Sequence, residues 1–541
     1  MLTYLREVPL GHLIRLLSGR KLLRFPEEQD GFSVPDTVRF SRQTTVVSDA
    51  HVSPAVLEAA TSSPPVTWYS ANDPENPKNW SSWKKAAVYI IICFYTATAQ
   101  ASVSIFTPSQ MLLPDIFGIS TTVSSLGLAL FVFGYGSGGL FLSPLSEIPA
   151  VGRNPPYVVS TVLFTLFSIG TPFVNTVAGI MILRFLQGLL ASPIMNTGGA
   201  SLADITTTYE LPYGMYSWAM FAFVGPAIGP IISGFSVGPE GWRFPLWEIL
   251  ILAVPTLILV VRLLLPETSA PRILYARSRR LRHVTQDPTL LSQYEVEQRG
   301  KDEGDRSASA LLYSALVMPW KVNALDPSIL FTTLYCCLVY SAYYLFFEVF
   351  PLVYMDQHGM TVGQMGLIYI CVPVGTFLAA IPYFAFIHWK VHAPMRAAHP
   401  QQSPLEPEDR LVPALVASVI IPTGLFLFAW TGRTASIHWI VPTIGAMLVS
   451  GGNAVIFQSI YVYIALAYPR YAASLFGCNG FAKATVACGA ILIANTLYGR
   501  LGIAGGTSLI GGLCVLCTVG MFSLYRFGAA LRARSRFTAK S

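Results

Sequence analysis

An all-α polytopic membrane protein, with twelve transmembrane helices in two six-helix pseudo-symmetric bundles, is what this sequence predicts, on three observations. Hydrophobic residues make up 53% of the 541-residue chain and charged residues 12%, about half the ~25% of a soluble domain. Apolar runs long enough to cross a hydrocarbon layer of ~30 Å as helix recur along the chain, and we count twelve. Six precede a polar stretch of about sixty residues, 267–326, and six follow it. Such a repeat places a substrate site between the halves near the midplane.

In order, the spans are expected at 84–108, 121–144, 155–175, 177–203, 213–236, 243–266, 327–352, 362–386, 411–431, 437–465, 471–498 and 503–526. The divisions that follow are a tail 1–83, a bundle 84–266, a linker 267–326, a bundle 327–526 and a tail 527–541. Lys and Arg fix the orientation, because cytoplasmic loops carry the excess of both. One side holds the N-terminal tail, Arg153, the linker (Arg272, Arg277, Arg279, Arg280, Arg282, Arg299, Lys301, Arg306, Lys321), Lys390, Arg396, Arg410, Arg470 and the tail residues Arg526, Arg532, Arg534, Arg536 and Lys540. The other holds Arg243, Arg433 and Arg500. Both termini are therefore expected in the cytoplasm, and the net charge of +7 reads as topology and attraction to membrane lipids, with no nucleic-acid partner.

The tail is too polar and too broken to span, and no cleavable signal follows Met1. Residues 3–24 intersperse apolar residues with Arg6, Arg15, Arg20, Lys21 and Arg24, which suits either a basic helix on the inner leaflet or a solvated one. Further on come Phe25-Pro26-Glu27-Glu28, Val66-Thr67-Trp68 and Asp73-Pro74-Glu75-Asn76-Pro77-Lys78-Asn79-Trp80-Ser81. Trp80 and Trp83 suit the interface where the first span begins. Asn79-Trp80-Ser81 fits a glycosylation sequon, but on the cytoplasmic side it goes unused.

Between the second and third spans runs Gly134-Tyr135-Gly136-Ser137-Gly138-Gly139, then Pro144-Leu145-Ser146-Glu147-Ile148-Pro149-Ala150-Val151-Gly152-Arg153-Asn154. Small residues at Gly134, Gly138 and Gly139 admit close backbone approach, and Glu147 with Arg153 offers opposite charges at the water boundary. This stretch resembles the signature loop of major facilitator superfamily transporters. Gly139 stands where the pattern has Pro, and Asn154 where it has a second basic residue. With the tail motifs, the chain is similar to fungal twelve-helix drug:proton antiporters of the benomyl- and fluconazole-resistance branch, over nearly its whole length. The resemblance implies an exporter in the fungal plasma membrane.

Two spans carry further family-like motifs. The fourth has Arg184 and Gln187 in its outer half; a cation there costs up to ~2.5–3.5 kcal/mol, so it should face the bundle interior with a partner, the rival being an arginine that snorkels to the lipid surface. The resemblance implies a role in proton transfer for Arg184. At the other end of that span Ala203-Asp204-Ile205 matches a family motif, and Asp204 is expected in a cluster with Glu147 and Arg153. The fifth span reads Gly225-Pro226-Ala227-Ile228-Gly229-Pro230, continuing to Gly234. Its glycines and prolines make a bent, closely packable helix, and the pattern resembles the antiporter motif of drug exporters.

After the sixth span, Arg277-Ser278-Arg279-Arg280-Leu281-Arg282 suits membrane anchoring, and residues 283–310 suit either a helix or a disordered linker. The seventh carries Glu348 among apolar residues, able to take and lose a proton or to serve as a hydrogen-bonded structural acid. Tyr340, Tyr343, Tyr344 and Phe347 nearby suit a pocket for flat apolar compounds, or a core. Asn453, Gln458 and Asn479 add polar groups, and Lys483 matches a basic position of related transporters, with a pairing to Glu348 left open. Cysteines lie in helices with no disulfide pattern, and no histidine falls mid-membrane.

The sequence thus predicts a proton-coupled antiporter exporting small amphipathic compounds such as drugs, toxins or secondary metabolites. Arg184, Glu348 and Lys483 would couple protons; Gln187, Tyr340, Tyr344, Phe347, Asn453, Gln458 and Asn479 would line the pocket; Gly134, Gly138, Glu147, Gly152, Arg153, Asp204, Gly225, Pro226, Gly229, Pro230 and Gly234 would serve the conformational cycle. No phosphate-binding loop is present, and neither a nucleophile–base pair nor a metal cluster sits at membrane depth, so the reading expects no enzyme, cofactor or metal, and a monomer. A proton-coupled importer and a non-transporting sensor are the alternatives.

Overall fold

The computed structural model describes residues 65–207, 209–260, 266–299, 317–393, 406–468 and 472–536, together with 21–29 and scattered positions between 6 and 32. Ten positions of the 3–24 segment, Arg20 among them, residues 300–310, Arg396, Arg470 and Lys540 lie outside the described residues.

Helix α1 spans Ser82–Ser104, its first turn capped by the Ser81 hydroxyl on the Lys84 amide. Pro108, which has no N–H, follows the end of α1, and the chain restarts as a single turn, Thr107–Gln110. Helix α2 runs Thr121–Glu147, α3 Asn154–Gly170, α4 Val177–Ile205, α5 Leu211–Glu240 and α6 Phe244–Ile258. Short linker helices Ala270–Thr285, Gln293–Arg299 and Met318–Leu325 lead to α7, Pro327–Phe350. Asp326 starts α7 by accepting from the amides of Ser328 and Ile329. Helix α8 comes in two pieces, Val362–Ile368 and Cys371–Phe386; α9 is Val412–Thr431 and α10 Ile440–Ala467. The last helical stretch, Ala472–Arg534, is divided by Gly502, whose φ of +68° no helix contains, into α11 (472–501) and α12 (503–534). These twelve agree with the sequence to within a few residues at most ends.

Two-fold pseudo-symmetry is visible in the backbone contacts. A Cβ on Gly134 of α2 would overlap the Phe185 carbonyl of α4, and one on Gly375 of α8 would overlap the Met447 carbonyl of α10. The small residue sits at the same place in each half because the paired helices are in backbone contact there. Between the halves, α2 packs on α11, with Gly136 against Ala484, and α5 packs on α8, with Gly234 against the Val362 carbonyl.

The polar segments differ from expectation. Arg277 is not a lipid anchor. It is 1% exposed and reaches Asp73 at 2.7 Å, Glu75 at 3.0 Å and Glu27 at 3.5 Å, so the helix Ala270–Thr285 binds the N-terminal tail. Among the described residues of the tail, Arg6 and Arg15 lie buried over the Phe25 ring rather than on an outward charged face. The Asn79 side chain donates to the carbonyls of Ala71 (2.6 Å) and Asp73 (3.2 Å), giving the sequon a structural use. Trp80 is buried beneath Lys84 while Trp83 is exposed. We name the end of the bundle carrying this clamp the basic end, and the opposite end the far end.

Candidate functional site

Arg184 is fully buried, as a cation facing the interior requires. Its partners are carbonyls: Nε donates to Gly127 at 3.0 Å, Nη1 to Ser102 at 2.8 Å and Nη2 to Val103 at 2.6 Å, with the Phe131 ring 4.5 Å away. The carbonyls of Ser102 and Val103 are free because α1 stops at Ser104. The guanidinium therefore caps the negative end of α1 inside the bundle, and its planar fork ties α1, α2 and α4 together. Gln187 belongs to this strut. It accepts from Arg184 at 3.4 Å and donates to Ser168 and Thr171 at 3.1 Å, hydrogen bonds that lie within the first half and tie it to the strut rather than to the expected pocket.

Glu348, near the far end of α7, is partly exposed and accepts from Gln110 at 3.2 Å and from Ser125 at 3.0 Å. Both donors belong to the other half. They also sit on the backbone that Arg184 holds: Gln110 follows the end of α1, and Ser125 is two residues from Gly127. The strut and the carboxylate are thus linked through two short segments without touching. The pairing of Glu348 with Lys483 does not form. Lys483 donates instead to the Tyr461 hydroxyl at 3.0 Å, half-way along the bundle. Glu248 of α6 is a further buried acid, with one carboxylate oxygen unpartnered among the described residues.

Around Lys483 the halves meet in a cluster of rings. The ammonium lies 4.9 Å from the Tyr340 ring, 5.0 Å from Phe457 and 5.5 Å from Tyr461. Tyr340 and Tyr344 share a contact of 3.4 Å between hydroxyls, Phe347 stacks on Tyr369 at 5.0 Å, and Phe223 of α5 reaches Phe457 at 5.7 Å. Asn479 accepts from Tyr461 at 3.3 Å. Asn453 donates to the Val339 carbonyl at 3.2 Å and keeps an unpartnered oxygen. Gln458 lies on a neighbouring face of α10, next to Tyr383. Six of the seven expected pocket residues thus lie in the second half, on the helices that build the ring cluster, and Gln187 does not.

Two features flank the cluster. In α5, a Cβ on Gly225 would lie 2.5 Å from Gln100 of α1 and one on Gly229 would lie 2.6 Å from the Ile105 amide, so the seam is a backbone contact. Pro230 leaves the Pro226 carbonyl without its helical donor, and the Ser104 hydroxyl supplies one at 2.6 Å. At the basic end, Tyr216 of α5 stacks on Tyr383 of α8 at 4.7 Å and donates to the Thr376 carbonyl at 3.2 Å, while Tyr213 lies 3.3 Å from His392. This aromatic closure was missed because its members lie on different helices. The only signal was the pair Tyr213 and Tyr216 on one face of α5.

The α2–α3 turn carries the expected charges in a changed arrangement. Arg153 pairs with Asp204 at 2.9 Å, but Glu147 makes no ion pair among the described residues. Its place is taken by Glu267, which accepts from the amides of Arg153 (3.1 Å) and Asn154 (3.2 Å), and by Thr268, which donates to Asp204 at 3.2 Å. Burial would lower the Arg153 pKa, yet the Asp204 carboxylate, helped by Tyr157 and Glu147, raises it by more, so the guanidinium stays charged. Gly152 has φ +81°, and a Cβ there would strike Glu267 and Arg272.

The Major Facilitator Superfamily model matches residues 90–489, most of the helical chain just described. The chain belongs to the major facilitator superfamily. This superfamily member is 46% identical to the MFS-type transporter pyvG of Aspergillus violaceofuscus, over 99% of each chain. It is 35% identical to Fluconazole resistance protein 1 of Saccharomyces cerevisiae, over 87% of this chain and 85% of the relative. Among solved structures, the proton:xylose symporter XylE bound to a bromodeoxyglucose superposes with a TM-score of 0.57 at 12% identity, over 82% of this chain and 97% of XylE. At that identity the likeness concerns the fold alone.

Proposed function

We propose that this protein exports small amphipathic organic compounds in exchange for protons, as a monomer in the fungal plasma membrane with its basic end and both termini in the cytoplasm. The observation that carries the reading is Glu348, a partly exposed carboxylate of one half held by two donors of the other. Ionised, it accepts both hydrogen bonds and fastens the far end; protonated, it has lost half its acceptor capacity and the fastening weakens. A proton arriving from outside therefore favours opening outward, where cargo leaves. A transporter relative named for fluconazole resistance supports export, since resistance requires less drug inside. One proton crossing ~100 mV contributes ~2.3 kcal/mol and a unit of pH gradient ~1.4 kcal/mol. Together they sustain roughly a several-hundred-fold gradient of a neutral cargo.

The test is efflux of a fluorescent azole from cells expressing the protein. Discharging the pH gradient with a protonophore while ATP is maintained should abolish it, and continued pumping refutes proton drive. Inward accumulation driven by the same gradient would select the importer instead.

A further inference from the structure

This inference rests on the export reading and concerns what is exported. Lys483 lies 91% buried between the halves. Of its three donors one is used, on the Tyr461 hydroxyl, which itself donates to Asn479. The groups facing it are Tyr340, Cys336 and Cys337 of α7, Phe457 and Tyr461 of α10 and, through a hydrogen bond to Tyr340, Tyr135 of α2. No carboxylate among the described residues pairs with it. A buried cation ordinarily has an anion beside it; here ring faces give partial compensation and the counter-charge is missing. A second unpartnered group lies close by. Asn453, Phe457 and Tyr461 are spaced four apart on one face of α10, and the Asn453 oxygen, fully buried, has no donor.

We propose that Lys483 is the counter-ion for the cargo, and that the compounds carried are flat aromatic acids, carboxylates or ionised enols. The anionic head meets the ammonium, and the rings of Tyr340, Phe457 and Tyr461 cover the scaffold. A cationic amphiphile in the same place would meet an uncompensated charge at close range, which the site rejects. The separation of Lys483 from Glu348 divides the labour: the lysine recognises the cargo and the carboxylate handles the proton. Charge movement agrees, because an anion leaving the cell runs with an inside-negative potential.

The experiment measures binding of 2-naphthoate, its methyl ester and 2-naphthylmethylammonium to the purified full chain in lipid nanodiscs by calorimetry. Naphthoate should bind at least tenfold more tightly than the ester, with the ammonium weakest. Lys483→Gln should bring naphthoate down to the level of the ester while leaving ester binding in place, and Lys483→Arg should keep the preference. A wild-type protein that binds the ester or the ammonium as tightly as naphthoate overturns the proposal, and this comparison decides even if both variants fail to insert. Sidedness separates the two readings. Naphthoate preferred but moved inward sinks export and keeps the anion site; export of neutral compounds without naphthoate preference does the reverse.

Discussion

Glu348 accepts from Gln110 and Ser125, and Arg184 fixes the backbone on which both donors stand. Hydrogen bonds to a charged acceptor contribute about 1.5–3 kcal/mol each. Glu348→Gln, which imitates the protonated acid, should therefore lower proton-driven transport by roughly 10- to 100-fold. Binding of cargo should survive, since Tyr340, the α7 ring that faces Lys483, lies about 12 Å along the helix from the carboxylate. Transport of unchanged rate and pH dependence in reconstituted vesicles would remove Glu348 from the cycle. For Arg184 the expectation shifts from chemistry to support. Arg184→Ala strands the carbonyls of Ser102 and Val103 in a dry interior at about 1–3 kcal/mol apiece and removes the tie to Gly127 of α2. It should lower the melting temperature of the purified protein, and Arg184→Lys, keeping charge without the fork, should fall between. A melting temperature equal to wild type in the alanine variant, with coupling lost, would restore the electrostatic role that the sequence suggested.

Among the elements, α5 is the one both neighbours depend on. Its glycines touch α1 directly, its prolines bend it, and Ser104 repairs the carbonyl that Pro230 leaves open. Gly229→Ala is a sufficient test because a Cβ already falls 2.6 Å from a backbone amide that cannot rotate away. The helices must part at a tight seam, at about 1–3 kcal/mol for overpacking, so efflux should drop several-fold while surface expression stays within about twofold. Wild-type efflux in this variant would mean that α1 and α5 separate without cost. Tyr216 and Tyr383 show the complementary device: a stacked pair closing the basic end by side chains, worth ~0.5–1.5 kcal/mol, small enough for thermal opening.

At the scale of the molecule, the clamp of tail and linker adds a soluble-like layer to the membrane bundle. Burial would raise the pKa of Asp73 and Glu27, but Arg277 with the Tyr69 and Glu75 amides lowers that of Asp73, and Arg280 with Arg277 and the backbone lowers that of Glu27, by more, leaving both below the ordinary carboxylate value. Glu295, held by Arg282 against the same effect of burial, sits at about 2. A folded pKa below the unfolded one gives stability that is full above the unfolded value and lost as pH falls through the folded one. The clamp should therefore be intact at neutral pH and open only below roughly pH 4. Hydrogen exchange of 65–80 and 270–295 across pH, referred to that of the α7 amides, measures this. Protection that fades near neutrality would assign the clamp to other groups.

The sequence by itself determined the all-helical membrane fold class and the motifs that mark the superfamily. Each of these is written in contiguous residues: hydrophobic length and the spacing of Gly and Pro. For Arg184 the sequence left an inward position with snorkelling as the rival, and burial in the packed bundle decides between them. Only the tertiary structure decided partners. Arg184 binds carbonyls that exist because α1 stops short, Glu267 stands where Glu147 was expected, Gln187 belongs to the strut, and Lys483 faces rings rather than Glu348. Hydrogen bonds and ion pairs hold over ~3 Å between atoms, whereas periodicity only sets the face of a helix. Which faces meet depends on the packing of all twelve helices at once, and no local pattern carries that.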